Sequence, residues 1–186
     1  KLMSININYN SSKIRQNSVL FIDERFNISS LKKYLKISVY NQVLDLVKLK
    51  NLKKKIVFFE LNSKKKIFLV SVSKNISNSD AVNLGAKFYD VIKEFNSKEY
   101  DLNTNTLANV DTANDIVGNF LHGIILKSYS FEKYKTKKTN KNFYIFVSGK
   151  NKPAIKDRIK FKSIEEGTFC TRDLVSEPGN VLHPDE

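Results

Sequence analysis

The residues through which this chain could do chemistry are few: two histidines, one cysteine and some closely spaced carboxylates. Zinc needs three or four clustered N, S or O donors. His122 falls inside a helical pattern with no Cys or His one turn away, and His183 stands near the end of the sequence, so both read as unliganded. Cys170, between Phe169 and Thr171, would need a base and an oxyanion donor to act as a nucleophile. A lone free cysteine reads instead as a small buried apolar residue. Gly118-Asn-Phe-Leu-His-Gly123 copies the glycine spacing of a phosphate loop, but it lacks the following Lys-Ser/Thr and sits within a helix. Asp111 and Asp115 lie one turn apart near a helix start, where the helix dipole favours negative charge. General-acid use of this pair, or of Glu165-Glu166, would need a pocket that the sequence does not display.

Two charged stretches invite partners. Lys133-Tyr-Lys-Thr-Lys-Lys138, close to Phe131, interleaves cations and rings as a surface for single-stranded nucleic acid does. It reads equally as a solvated loop leaving a helix C-terminus, where cations meet the negative end of the dipole. A subunit contact is a third option. Arg172-Asp173 could pair with a further domain, because guanidinium groups suit partly buried ion pairs. No catalytic, cofactor-binding or metal-ligating residue is assigned.

These residues need elements to position them. Leu2–Tyr9 alternates as a half-buried strand, and Ser18–Ile22 carries a continuous apolar run suited to a strand covered on both faces. Ser29–Val47 is weakly helical. Ile56–Leu61 and Ile67–Val72 flank a polar turn and read as a hairpin. Ser79–Phe95 is the clearest helix: Ala81, Leu84, Phe88, Val91, Ile92 and Phe95 form one stripe, with Ser77 or Ser79 as cap. Tyr100–Asn103 reads as a short strand. Asp111–Tyr129 is a helix in which Gly118 and Gly123 allow close packing against a sheet. Asn142–Ser148 is another central strand, Lys150–Lys156 a linker, and Asp157–Glu177 a last helix ended by Pro178-Gly179. The alternation predicts an α/β fold with a mixed β-sheet sandwiched by helices.

Composition narrows the class. Apolar content of 41% fits a folded globular chain. No run approaches the ~18 apolar residues of a membrane helix. The N-terminus lacks the continuous apolar core of a signal peptide. One cysteine excludes an internal disulfide framework and fits a reducing, cytoplasmic setting. The net charge of +13 points toward nucleic acid or an anionic membrane. It is also the signature of an A+T-rich coding sequence, since Lys, Asn and Ile dominate while Arg occurs only four times. Arg is the side chain favoured for reading phosphate, so its scarcity supports the compositional explanation.

Two segments resemble one family. Thr171–Pro184 (TRDLVSEPGNVLHP) is similar to the T-R-D-L-V-N-E-P-A-N-x-L-x-P signature of the leucyl (cytosol) aminopeptidases, peptidase family M17. Leu121–Lys138 (LHGIILKSYSFEKYKTKK) resembles that family's G-x-x-L-x-S-Y-x-F-x-K-Y-K-T-K segment, in the same order. Ser176 replaces the family's Asn and Gly179 its Ala. The resemblance implies residues 1–150 as a non-catalytic, macro-domain-like three-layer N-terminal domain. It implies residues 151–186 as a linker helix and the start of a catalytic domain, so a longer two-domain protein is expected. The family's enzymes release N-terminal amino acids from peptides with two divalent metal ions, manganese or zinc. The ligands lie in the C-terminal domain, so none maps onto this sequence and the fragment alone is expected to be inactive. Expected partners are the catalytic domain, peptide substrate and other copies in a homohexamer, with no membrane. Two alternatives stand beside this: a stand-alone module for an ADP-ribose-type nucleotide, as macro domains are, with Gly149 the one glycine following a strong strand, or a nucleic-acid-binding module.

Overall fold

The computed structural model describes residues 5–10, 17–49, 54–63, 65–107, 112–131, 133–134 and 142–178. Its strands are β1 (Ile5–Asn8), β2 (Asn17–Ile22), β3 (Ile56–Glu60), β4 (Lys66–Ser71), β5 (Glu99–Asn103) and β6 (Phe143–Ser148). Its helices are α1 (Ile37–Leu49), α2 (Asn78–Ile92), α3 (Ala113–Lys127) and α4 (Ile155–Ser176). The six strands form one sheet in the order β1-β6-β5-β2-β4-β3. All neighbours run parallel except β3 and β4, which form the expected antiparallel hairpin.

The apolar run of β2 is explained by its place in the sheet. Val19 and Phe21 join the core on the α2–α3 face, while Leu20 and Ile22 join the core on the α1 face. A strand buried on both faces cannot alternate polar and apolar residues. β4 does the same, with Phe68 and Val70 on one side and Ile67 and Leu69 on the other. Helices therefore cover both faces, giving the three-layer α/β sandwich that the alternation of elements predicts.

Phe68 anchors the larger core. The rings of Phe58, Phe88, Phe95 and Tyr100 surround it at centroid distances of 5.6–5.8 Å, three of them edge-on. Edge-to-face pairs of this kind add to the burial energy of each ring. In the α2 stripe, Ala81, Leu84, Phe88 and Ile92 are buried, with Val91 and Phe95 packed beside them. Ser77 is the cap: its hydroxyl accepts from the Asp80 backbone N–H at 3.0 Å.

Two expectations change. The segment Ser29–Val47 is not one helix. A 3-10 turn at Ser29–Lys33 buries Leu31, and α1 begins only at Ile37. The break at Tyr34 is held by its hydroxyl, which donates to the Asn105 carbonyl at 2.9 Å and ties the turn to the segment that follows β5. The α3 glycines meet helices rather than strands. A Cβ on Gly123 would overlap the Val82 carbonyl of α2, and one on Gly118 would lie 2.9 Å from the Phe161 ring of α4. Gly85 of α2 returns the contact, because a Cβ there would overlap the Phe120 carbonyl of α3. Reciprocal glycines let the two backbones touch.

This geometry predicts opposite effects for two similar substitutions. Gly123→Ala should force α2 and α3 apart and lower stability by about 2–3 kcal/mol. Gly167 of α4 has nothing within 4 Å of its would-be Cβ. Gly167→Ala should therefore raise stability by about 0.5–1 kcal/mol through helix propensity alone. Urea denaturation of both variants reads the signs directly.

Candidate functional site

α4 is fastened to α3 by a buried polar pair. His122 Nδ1 and Glu165 Oε1 lie 2.6 Å apart, with side chains only 9% and 10% exposed. The Phe161 ring stacks on the imidazole at 4.8 Å and 30°. Helical phase explains the arrangement: Phe161, Glu165 and Phe169 recur at four-residue steps and face Gly118 and His122 of α3. The pair closes the floor of a cleft of about 360 Å³ between β1, α3 and α4, whose rim includes Tyr9, Arg158, Lys162 and Glu166. The Arg158 guanidinium lies 3.7 Å over the Tyr9 ring, and its Nε donates to the Pro153 carbonyl at 2.8 Å. Burial, helped by the charge of Glu165, raises the Tyr9 hydroxyl pKa, and Arg158 opposes the shift. Among the described residues no group of three or more His, Cys, Asp or Glu could hold a metal ion, and the His122 imidazole is engaged by Glu165 and Phe161. Glu165 is 43 residues away, and the one local signal was a Glu in an otherwise aromatic helical row.

The far end of α4 is zipped to the exit of α3. Arg172 Nη1 donates to the Leu126 carbonyl at 2.8 Å, in the last turn of α3 where carbonyls lack helical partners. Its guanidinium lies 5.4 Å from the Tyr129 ring, and the Tyr129 hydroxyl donates to Asp173 at 2.8 Å. Arg172 and Asp173 therefore engage their own chain. Lys133 and Tyr134 both donate to Glu177, each at 2.5 Å. Those two contacts hold the Glu177 carboxyl below its ordinary pKa. They are present above the unfolded carboxylate range and are lost as pH falls through the folded value. The rest of the Lys133–Lys138 stretch lies outside the described residues, as do Asp111 and His183.

Cys170 corrects the sequence reading. It is exposed, not buried. Phe169 takes the inward position, and the next residue on a helix is rotated away from it by about 100°. Asp115 is exposed in the first turn of α3, and Glu166 points outward within 3.8 Å of Lys162. Adjacent in sequence, Glu165 and Glu166 do not act as a carboxylate pair.

A second cleft, of about 390 Å³, opens at the C-terminal ends of β2, β4 and β5. The chain leaves β2 toward the α1 layer and leaves β5 toward the α3 layer, so neighbouring strands hand off to opposite faces. In open α/β sheets that reversal creates a crevice suited to ligands. Phe21, Ile22, Val72 and Leu107 form its floor, and Asp23, Asn27, Ser29, Ser30, Lys33 and Lys74 its rim. Thr106 ties the floor together, donating to the Asn103 carbonyl at 2.6 Å and accepting from the Phe21 N–H at 2.8 Å. The sequence singles out none of these residues as a site. Only strand order, which periodicity does not encode, brings them together. Gly149 has φ of +98°, and a Cβ there would lie 2.6 Å from Thr104 Oγ1 and 2.8 Å from the Asn105 nitrogen. It serves packing between β5 and β6 and does not line the cleft.

The His122–Glu165 pair yields a mutational test. Glu165→Leu strands a buried imidazole nitrogen and should cost about 1–3 kcal/mol. Replacing both partners by Leu should recover much of that loss, since paired apolar substitutes avoid the desolvation penalty. Urea midpoints of the four proteins in the cycle check this; a double variant as weak as the sum of the singles would show that the pair does not fasten α4.

Known proteins place this architecture. The chain matches no protein-family model. It is 35% identical over 85 residues to a probable cytosol aminopeptidase of Sinorhizobium fredii, covering 41% of this chain and 17% of that protein. A probable cytosol aminopeptidase of Phytoplasma mali is 36% identical over 84 residues, with the same coverages of 41% and 17%. That of Brucella melitensis is 30% identical over 130 residues, covering 65% of this chain and 26% of the relative. The chain thus spans about a fifth of the length of these curated relatives. A mutant of tomato leucine aminopeptidase superposes with a TM-score of 0.68 at 14% identity, over 98% of this chain and 40% of that one. The cytosol aminopeptidase of Coxiella burnetii gives 0.64 at 12% identity, over 98% and 35%. By sequence and fold together, the chain is similar to the N-terminal part of the leucyl (cytosol) aminopeptidases.

Proposed function

We propose that this chain is the accessory part of a metal-dependent leucyl aminopeptidase that releases N-terminal amino acids from peptides, and that its own role is structural. The observation that carries the reading is the sequence match to cytosol aminopeptidases at 30–36% identity, joined to a fold that covers 35–40% of the solved enzymes. Two divalent metals, manganese or zinc, would supply a nucleophilic water and stabilise the oxyanion in such an enzyme. The described residues offer no ligand set for them. No catalytic step is therefore assigned to this chain.

What the chain offers is a surface. α4 is 22 residues long and has only Glu165 fully buried. Ile155, Ile159, Leu174 and Val175 are 71%, 61%, 49% and 81% exposed, and the Gly167 face between them is open. Apolar side chains grouped on a solvent-facing helix mark an interaction surface. In this reading α4 is the element through which the domain meets a catalytic domain and supports a homohexamer. Among the described residues no helix is long and apolar enough to cross a membrane.

The purified 186-residue chain should not hydrolyse leucine p-nitroanilide with added manganese or zinc; measurable metal-dependent turnover would overturn the structural role. In the longer enzyme, Ile159→Glu and Leu174→Glu should shift the assembly toward smaller species and reduce specific activity. Size-exclusion chromatography with light scattering reads the first effect. Unchanged mass and activity would remove α4 from the interface.

A further inference from the structure

The cleft between β1, α3 and α4 lies under the inner side of α4, and the structural role leaves it unused. Its walls are apolar. Ile5 and Ile7 come from one face of β1, Leu121 and Ile125 from one row of α3, and Phe169 from α4. Four charged side chains line it as well: Arg158, Lys162, Glu165 and Glu166. Lys162 and Glu166 stand exposed on the rim, 3.8 Å from each other. Arg158 is half-buried and Glu165 buried, so the interior holds one cation and one carboxylate.

Both interior charges have unused capacity. The Arg158 guanidinium lies 3.7 Å over the Tyr9 ring and engages only its Nε, on the Pro153 carbonyl. Among the described residues its two terminal nitrogens meet no acceptor. Glu165 turns Oε1 to His122, and Oε2 has no partner among the described residues. The Tyr9 hydroxyl is also without one, although its main chain is pinned: the Tyr9 carbonyl accepts from Lys152 Nζ at 2.7 Å. Burial raises the Tyr9 hydroxyl pKa, with Arg158 opposing and Glu165 adding to the shift. The hydroxyl therefore stays a donor at neutral pH, and the three groups act on one space. Arg158 and Glu165 are separated by about two turns of α4, or ~10 Å along its axis. The groups are set before any ligand arrives, which lowers the ordering cost of binding.

We propose that this cleft binds a free apolar α-amino acid of about the size of leucine. The terminal nitrogens of Arg158 form a fork that donates two parallel bonds to a carboxylate, and the Tyr9 O–H adds a third donor. The open oxygen of Glu165 accepts from the ammonium, and the walls from β1 and α3 take the side chain. Charge balance selects the zwitterion. A simple carboxylate would bring negative charge beside Glu165 and leave that oxygen unanswered. A simple amine would face the Arg158 charge. An uncharged apolar molecule would leave the guanidinium without an acceptor. The cleft volume of about 360 Å³ lies at the small end of the ~300–1,000 Å³ common for ligand sites. The assignment rests on these charges and walls and not on the peptidase reading, under which the ligand would belong to the class of released products.

The test is calorimetric titration of the full 186-residue chain with leucine, 4-methylpentanoate, 3-methylbutylamine and glycine. Leucine should bind saturably at one site. The other three lack its amine, its carboxylate and its side chain in turn, and each should bind more weakly by about tenfold or more. Tyr9→Phe keeps the ring under Arg158 and removes a hydroxyl that has no protein partner among the described residues. It should weaken leucine by about threefold to tenfold without lowering the melting temperature. Arg158→Lys keeps the charge and loses the fork, so it should cost about tenfold in affinity. Lys162→Gln, a neutralised rim lysine, should leave leucine binding unchanged. Absence of saturable leucine binding, any of the three analogues bound as tightly as leucine, or unchanged leucine affinity in both Tyr9→Phe and Arg158→Lys would each overturn the proposal. Binding is read without turnover, so failure of the peptidase reading leaves this result intact.

Discussion

The backbone contact between α2 and α3 is the constraint on which the rest of this molecule depends. Gly85 and Gly123 each face a carbonyl of the other helix, so the two axes come closer than any side chain would permit. Because α2 and α3 share one face of the sheet, their spacing sets how far α3 reaches toward β6 and β1. That reach decides where Gly118 and His122 are offered to α4. A helix pair separated by even one methyl group would carry His122 outward and open the cavity that Phe161 and Glu165 now fill. Glycine costs helix propensity at each position, and the structure recovers it as close packing on the side that carries the aromatic core.

Charge plays a smaller part than the composition suggests. Several ion pairs among the described residues are exposed on both sides, such as Lys93–Asp90 and Lys162–Glu166, and pairs of that kind contribute little to stability. Asp90 lies within reach of both Lys93 and Lys127, and their pull outweighs the desolvation that would raise its carboxyl pKa. The polar groups with consequences are the buried ones. His122–Glu165 must be satisfied as a unit, and Tyr100, whose hydroxyl pKa is driven up by burial, donates to the Ser97 carbonyl at 3.2 Å. Excess lysine elsewhere is tolerated because water solvates it.

Much of the fold was legible because its signals are local. The α2 stripe, its Ser77 cap, the hairpin of β3 and β4, and the unbroken apolar run of β2 each state their structure within a few residues. What escaped was non-local. Leu31 to Leu44 keeps enough helical spacing to hide the break at Tyr34, because the bond that enforces it reaches 71 residues onward to Asn105. The α3 glycines announced close packing but not the partner. The buried role of Glu165 and the exposed state of Cys170 are both questions of helical phase against a neighbour 40 or more residues away in sequence. No motif points to the switch-point cleft, whose walls come from three separate connections.

α4 shows how a single helix can serve two surfaces without being conventionally amphipathic. Its inward row, Phe161, Glu165 and Phe169, is aromatic with one buried acid, and its outward row mixes Ile155, Ile159 and Leu174 with the small residues Ser163, Gly167 and Cys170. A helix meant only to cap α3 would place charge on its outer side, where Lys and Glu cover a surface at no desolvation cost. Here exposed apolar side chains stand among the charges of that side, with little bulk at Ser163, Gly167 and Cys170. The inner row is locked by a specific polar pair, by Arg172 on the α3 carbonyls and by Glu177 on Lys133 and Tyr134. Locking one side at three points fixes the rotation of the helix about its axis, and that rotation is what gives the outer row a defined direction. The buried pair and the exposed row are therefore one device: the first sets the angle at which the second is presented.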